Sequence, residues 1–331
     1  MVRLSLVAAC IVHYTEASSS SSSIIRMPRG NMNFPIQFIA AEGNGTFGGF
    51  ATLNFYGRMF QYEPPTFDDF PPDDATITQA RGILIGEPPL RIDFVREHTV
   101  LNSSSATEND FRIVLPGGCG SAMSRDVQSF LLTPVSETED IFVLNPTNAS
   151  QYAFEGQIFY TNMTRGVLVS LWPIHAAVRV SSGSSSVLTP EEYMPFGLAM
   201  MDFDTLFLPR HLRPDIVRSL DELGIDHSNT TGIGRFSNSF EIYNMDITRL
   251  AAALPSIEVL ISTDTGEIVQ IARIDPIDYI AGTDDPTTFR VQFGSGLACF
   301  SITPRFYKNL VIHFDTQNGR VGFADPLVEL L

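Results

Sequence analysis

Short apolar runs, each broken within a few residues by Gly, Pro, Asn or Asp, recur from about Pro35 to the end of the chain, and this rhythm dictates a mainly β fold. Val, Ile, Phe and Thr are numerous, 24 Gly and 21 Pro punctuate the chain, and helical heptads are almost absent. With 331 residues, 44% of them hydrophobic and 18% charged, the chain can build two lobes and bury a sizeable core. A formal charge of −16 argues against nucleic acid or anionic membrane as partner, because phosphate binding depends on clustered Lys and Arg. An acidic medium suits such a surface.

The first residues have the build of a targeting segment. A basic start at Arg3, an apolar core over 4–12 and the small-residue pattern Thr15-Glu16-Ala17 predict a signal peptide, 1–17, cleaved after Ala17. The core is too short to span a bilayer, and no other stretch reaches that length, so a transmembrane segment is not expected. The Ser-rich stretch 18–34 reads as a tether that packs no core. Sequons begin at Asn44, Asn102, Asn148, Asn162 and Asn229, in keeping with export to the cell exterior or a vacuolar or lysosomal lumen. Cys10 would leave with the signal. Cys119 and Cys299 would then be the only mature cysteines; an oxidising compartment would let them pair, and the sequence leaves their separation open.

Along the chain, residues 47–55 alternate toward a turn at Tyr56-Gly57-Arg58 that Met59-Phe60-Gln61-Tyr62 leaves, a hairpin signature. The stretch 63–74 carries four Pro and four Asp and suits no central strand. Extended segments follow at 82–95, 111–115, 141–144, 152–160, 171–174 and 177–180. Apolar residues at Leu212, Ile216, Val217, Leu220 and Leu223 predict one amphipathic helix ended by Gly224. Two hairpins close the chain: 257–261 with 268–274 around Thr263-Asp264-Thr265-Gly266, and 306–315 with 320–324 around Gln317-Asn318-Gly319.

The stretch 196–212, FGLAMMDFDTLFLPRHL, reads as strand, acidic turn, strand. Asp202 and Asp204 at a turn between apolar strands form either a solvated turn or a candidate acid site.

The closing FYKNLVIHFDTQNGRVGFADP resembles the last hairpin of pepsin-family aspartic peptidases. Further segments resemble that family in its own order: 150–159 its Y-x-G-x-L strand, Leu171-Trp172-Pro173-Ile174 its Y-W-Q-I strand, 206–220 its L-x-L-P strand and helix, and 254–280 its L-P-x-I hairpin ending in P-x-x-Y-I. The front fits more loosely: 48–60 resembles the first hairpin, 111–118 the F-D-G-I-L-G segment, 127–132 the L-F-S-x-x-L strand. The resemblance implies a pepsin-like bilobal fold with a shortened amino-terminal lobe, 35–148, and a carboxyl-terminal lobe, 149–331.

In that family two carboxylates, one from each lobe, share a proton; one activates water while the other polarises the scissile carbonyl. Each Asp ends an apolar strand and is followed by Thr or Ser and Gly, and an apolar-apolar-Gly turn buttresses each loop. This sequence departs at each place. Counting back from Leu208-Pro209 puts Met200 where the second Asp belongs; Asp202 or Asp204 fits only with a shortened loop, and neither precedes Thr-Gly. Counting forward through the first hairpin puts Pro65 at the first Asp, and an alternative register on 82–89 puts Glu97 there. The second buttress reads Ser301-Ile302-Thr303-Pro304, with Thr303 in place of Gly.

One Asp-Thr-Gly does occur, at Asp264-Thr265-Gly266, but polar residues flank it inside a hairpin, so it reads as turn chemistry. The six His are scattered singly and no zinc spacing appears, so neither metal nor cofactor is expected. Gly117-Gly118-Cys119-Gly120-Ser121 superficially resembles a thiol-peptidase loop without its supporting residues. The expectation is an exported, monomeric pepsin-like protein with a decayed peptidase site and a cleft used for binding peptide or protein. The rivals are an active acid endopeptidase pairing Asp202 or Asp204 with Glu97, and a working protease whose catalytic segments were lost at exon junctions.

Overall fold

A computed structural model describes residues 22–29, 33–40, 45–52, 59–61, 80–93, 112–114, 129–163, 172–181, 194–200, 206–231, 238–293, 299–302, 309–315 and 317–327. The front half contributes β1 (Ser23–Pro28), β2 (Asn33–Ala40), β3 (Thr46–Thr52), β4 (Met59–Gln61), β5 (Ala80–Ile85), β6 (Leu90–Asp93), β7 (Arg112–Val114), β8 (Phe130–Pro134) and β9 (Glu139–Leu144). The rear half contributes β10 (Phe159–Asn162), β11 (Trp172–Val180), β12 (Met194–Met200), β13 (Phe207–Leu208), β14 (His227–Thr231), β15 (Asn238–Ile242), β16 (Ile257–Ser262), β17 (Ile268–Ile274), β18 (Ile280–Gly282), β19 (Phe289–Phe293), β20 (Cys299–Ile302), β21 (Val311–Asp315) and β22 (Arg320–Ala324). Three α-helices, α1 (Arg213–Glu222), α2 (Ile247–Ala253) and α3 (Pro276–Tyr279), and three short 3-10 helices at Ala149–Tyr152, Phe154–Gly156 and Arg210–Leu212 complete the described elements. The fold is mainly β.

One sheet belongs to both halves. Its order is β1-β9-β8-β21-β22-β10, three strands from each side of residue 148. The order reads alike from either end: each half supplies a hairpin, β8–β9 or β21–β22, with an earlier strand of the same half, β1 or β10, on its outside. The halves meet where β8 and β21 run antiparallel, with Leu131 opposite His313. Because β8, β9 and β21 are covered on both faces, they read as nearly unbroken apolar runs and not as alternation. Ile25, Met27, Phe130, Leu132, Phe142, Ile312, Phe314 and Phe323 face the large core, while Leu131, Ile141, Val143 and Val311 face a small outer core closed by Ala153.

The expected tether is corrected here. Within the stretch 18–34, residues 23–28 form a strand and 33–34 open another: β1 alternates inward Ser23, Ile25 and Met27 with more exposed Ile24, Arg26 and Pro28. Ser23 is fully buried and its hydroxyl donates to the Ile85 carbonyl at 2.7 Å. Ile24 and Glu87 exchange backbone bonds of 3.0 and 2.8 Å, which attach β1 to the front sheet, β6-β5-β2-β3-β4-β7.

The rear half holds two more sheets, β17-β16-β11-β12-β20 and β13-β19-β15-β14, with β18 on β19. The expected helix is α1; Leu212, Ile216 and Leu220 enter the core, and Gly224 ends it at φ +63. The sequence reading missed α2, which is seven residues long and capped by the Asp246 carboxylate accepting from the Thr248 and Arg249 amides at 2.9 and 3.1 Å.

Candidate functional site: a crossover between sheets and a polar corner

The stretch 196–212 leaves one sheet and enters another. β12 lies between antiparallel β11 and parallel β20, with Gly197 opposite Cys299 and Met200 opposite Ile302. Buried Leu206 precedes β13, which runs parallel to β19, with Phe207 opposite Gln292. Among the described residues these are the two parallel pairings. β12 and β13, on either side of residues 201–205, thus belong to different sheets.

The crossover brings Met200, the last residue of β12, into register with Ile302, the last of β20, the strand that ends in the Thr303-bearing buttress sequence. Asp202, Asp204, Glu97, Pro65 and Thr303 lie outside the described residues, as do Asn44, Asn102 and Cys119. Cys299 opens β20 and Asn229 lies in β14. Asn148 and Asn162 are exposed.

Asp264-Thr265-Gly266 forms the expected turn between β16 and β17. Gly266 takes φ +83, the Glu267 carbonyl accepts from the Thr263 amide at 2.7 Å, and the Thr263 hydroxyl accepts from the Glu267 amide at 3.0 Å. The turn also docks on the edge of the shared sheet: the Asp264 amide donates to the Tyr160 carbonyl at 2.9 Å, and its carboxylate lies 3.7 Å from Arg320.

That docking point borders a polar corner which the sequence reading did not find. On the outer face of the shared sheet, Tyr160 Oη lies 2.8 Å from His313 Nδ1, and the Arg320 guanidinium sits 3.9 Å above the Tyr160 ring. Arg320 Nε donates to Asp315 at 2.7 Å, and Asn318 Nδ2 reaches both carboxylate oxygens at 3.0 and 2.8 Å. Tyr160 packs flat on Gly322, where a Cβ would come within 2.6 Å of its ring. A lone His in the run Val311-Ile312-His313-Phe314, opposite a Gly, was the available signal.

Burial dominates the corner's electrostatics. It holds His313 down to about 4, although the Asp315 carboxylate pulls the other way, and its Nε2 is buried with no hydrogen-bond partner among the described residues. Burial likewise raises Tyr160. For Asp315, burial alone would raise the pKa, but the hydrogen bonds from Asn318 and Arg320 outweigh it and the net shift is downward. His313 and Asp315 are buried in the corner, while Arg320 and Asp264 stay partly exposed at its rim.

A stability consequence follows for His313. Its folded value lies below the ordinary 6.5, so between those values the unfolded chain binds the proton and the folded one does not. The contribution is complete above pH 6.5 and falls away as pH drops toward 4, by on the order of 3 kcal/mol. His313→Leu, which copies the residue it faces across the sheet, should flatten that slope in urea unfolding measured from pH 7 to pH 4. An unchanged slope would show that other groups cause it.

An open cavity of about 530 Å³, lined in part by Asn244, Met245, Asp246, Thr287 and Phe289, lies at the start of α2. Its one carboxylate, Asp246, is spent on the helix cap. Among the described residues no group of three or more His, Cys, Asp or Glu is placed to hold a metal ion, and no helix is long and apolar enough to cross a membrane.

No family model matches the chain, and no curated protein matches it. Among solved structures it is similar to basic 7S globulin from soybean, with a TM-score of 0.53 and 12% identity over 92% of this chain and 97% of that one. At that identity the likeness is one of fold, and it spans both halves joined by the shared sheet: the chain has the mainly β, pepsin-like fold.

Proposed function

We propose that this chain is an exported pepsin-like protein that does not cleave peptide bonds and uses the cleft between its lobes, 35–148 and 149–331, to bind an extended peptide or a segment of another protein. The observation that carries the reading is Met200 at the end of β12, in register with Ile302 at the end of β20. The ungapped count to Pro209 puts the second catalytic Asp at that position, and a thioether neither activates water nor shares a proton. Thr303 instead of Gly in the buttress, and Pro65 at the first acid position, point the same way.

Calorimetry separates binding from residual catalysis. A peptide inhibitor carrying a tetrahedral hydroxyl should bind no more tightly at pH 4.5 than the same peptide without it. Transition-state mimics gain at least about 100-fold on a working acid pair. A gain of that size would overturn the reading in favour of Asp202 or Asp204 opposed by Glu97.

A further inference from the structure

We propose that Asn148 and Asn162 are both N-glycosylated, so that one glycan stands on the connection between the halves and the other at the end of the rear half's outer strand; this rests on the export reading above. Both open sequons, Asn148-Ala149-Ser150 and Asn162-Met163-Thr164, and both side chains are exposed in the folded protein, where a glycan displaces no packed group. Asn148 is also posed for it. Its Oδ1 accepts from the Ser150 amide at 3.2 Å, which fixes the side chain and leaves Nδ2 free of any hydrogen bond among the described residues.

Asn162 ends β10, the outer strand of the shared sheet, opposite Arg320. Alternation puts it on the face of Tyr160, while its neighbour Thr161 is buried on the other. A glycan there stands beside the Arg320 and Asp264 corner, at the end of an outer strand whose edge the Asp264 turn already meets at Tyr160. Asn145-Pro146-Thr147 is the internal contrast. Its Pro breaks the motif, and Asn145 is 5% exposed with φ +48.

The chemistry is a transfer from a polyprenyl-pyrophosphate-linked oligosaccharide. The Asn Nδ2 attacks the anomeric carbon, the carbon–oxygen bond to the pyrophosphate breaks, the pyrophosphate leaves with the electron pair, and Nδ2 gives up one proton.

The test uses the full chain expressed in a eukaryotic secretory cell, once with residues 1–17 and once with a proven signal peptide in their place. Protein from the membrane lumen and the medium is digested with peptide-N-glycosidase in H2-18O, which converts each glycosylated Asn to labelled Asp. Label at Asn148 and Asn162 and none at Asn145 is expected. Ser150→Ala, which keeps the backbone donor to Asn148, and Thr164→Ala should each remove one glycan step on a gel. With the proven signal peptide, an unlabelled Asn148 or Asn162 overturns the proposal. Label with the proven signal alone leaves the proposal standing and overturns the export role of 1–17.

Discussion

Replacing Phe314 with Ala should lower the free energy of unfolding by about 3–5 kcal/mol, the range for removing a fully buried aromatic ring. Phe314 is inaccessible to solvent and stacks on Phe130 with ring centroids 4.5 Å apart and planes 19° apart. The two residues are also partners in the register by which β21 and β8 join the halves. Phe130 in turn meets Phe142 at 5.4 Å, so the cavity left by Ala would open among residues already held by both hairpins and could not collapse. Phe314→Leu keeps much of the volume and should cost clearly less. Urea unfolding followed by intrinsic fluorescence measures both. A loss under about 1 kcal/mol for Phe314→Ala would mean that the shared sheet does not carry the junction.

Gly86→Ala should destabilise by roughly 2–5 kcal/mol, combining a left-handed backbone penalty with an overpacked contact. Gly86 takes φ +73 in the turn between β5 and β6. A Cβ there would lie 2.2 Å from the Ser23 hydroxyl and 2.9 Å from the Ile24 carbonyl oxygen. The hydroxyl can rotate; the carbonyl cannot, because it accepts from the Glu87 amide in the bridge that attaches β1 to the front sheet. Gly266→Ala is the control, since φ is +83 and open space surrounds it, so only the backbone penalty of about 1–2 kcal/mol remains. If the two variants lose the same stability, the approach of β1 to Gly86 contributes nothing.

These two positions also show what could and could not be read in the sequence. The hairpins around Asp264-Thr265-Gly266 and Asn318-Gly319 and the helix α1 were legible because period and turn residues agree over a dozen neighbouring positions. β1 was not, since six residues next to a Ser run carry too little pattern and its partner, β9, begins at Glu139. The polar corner was hidden for the same reason: Tyr160, His313 and Asp264 come from three distant segments, and each looks incidental alone. Met200 was found by counting, and its register with Ile302 places it at the crossover between sheets. The acids that could oppose that reading, Asp202, Asp204 and Glu97, lie on stretches outside the described residues, where polar composition offers no periodicity.

Cleavage itself is the direct measurement. The purified mature chain is incubated with an unfolded protein substrate between about pH 3 and 6, with and without a transition-state-mimicking pepsin inhibitor, and the products are read by mass spectrometry. If, as proposed, Met200 stands where the second acid would be, no inhibitor-sensitive peptides should form at any pH. Inhibitor-sensitive cleavage that Asp202→Asn or Asp204→Asn abolishes would contradict the account and make this chain an acid peptidase.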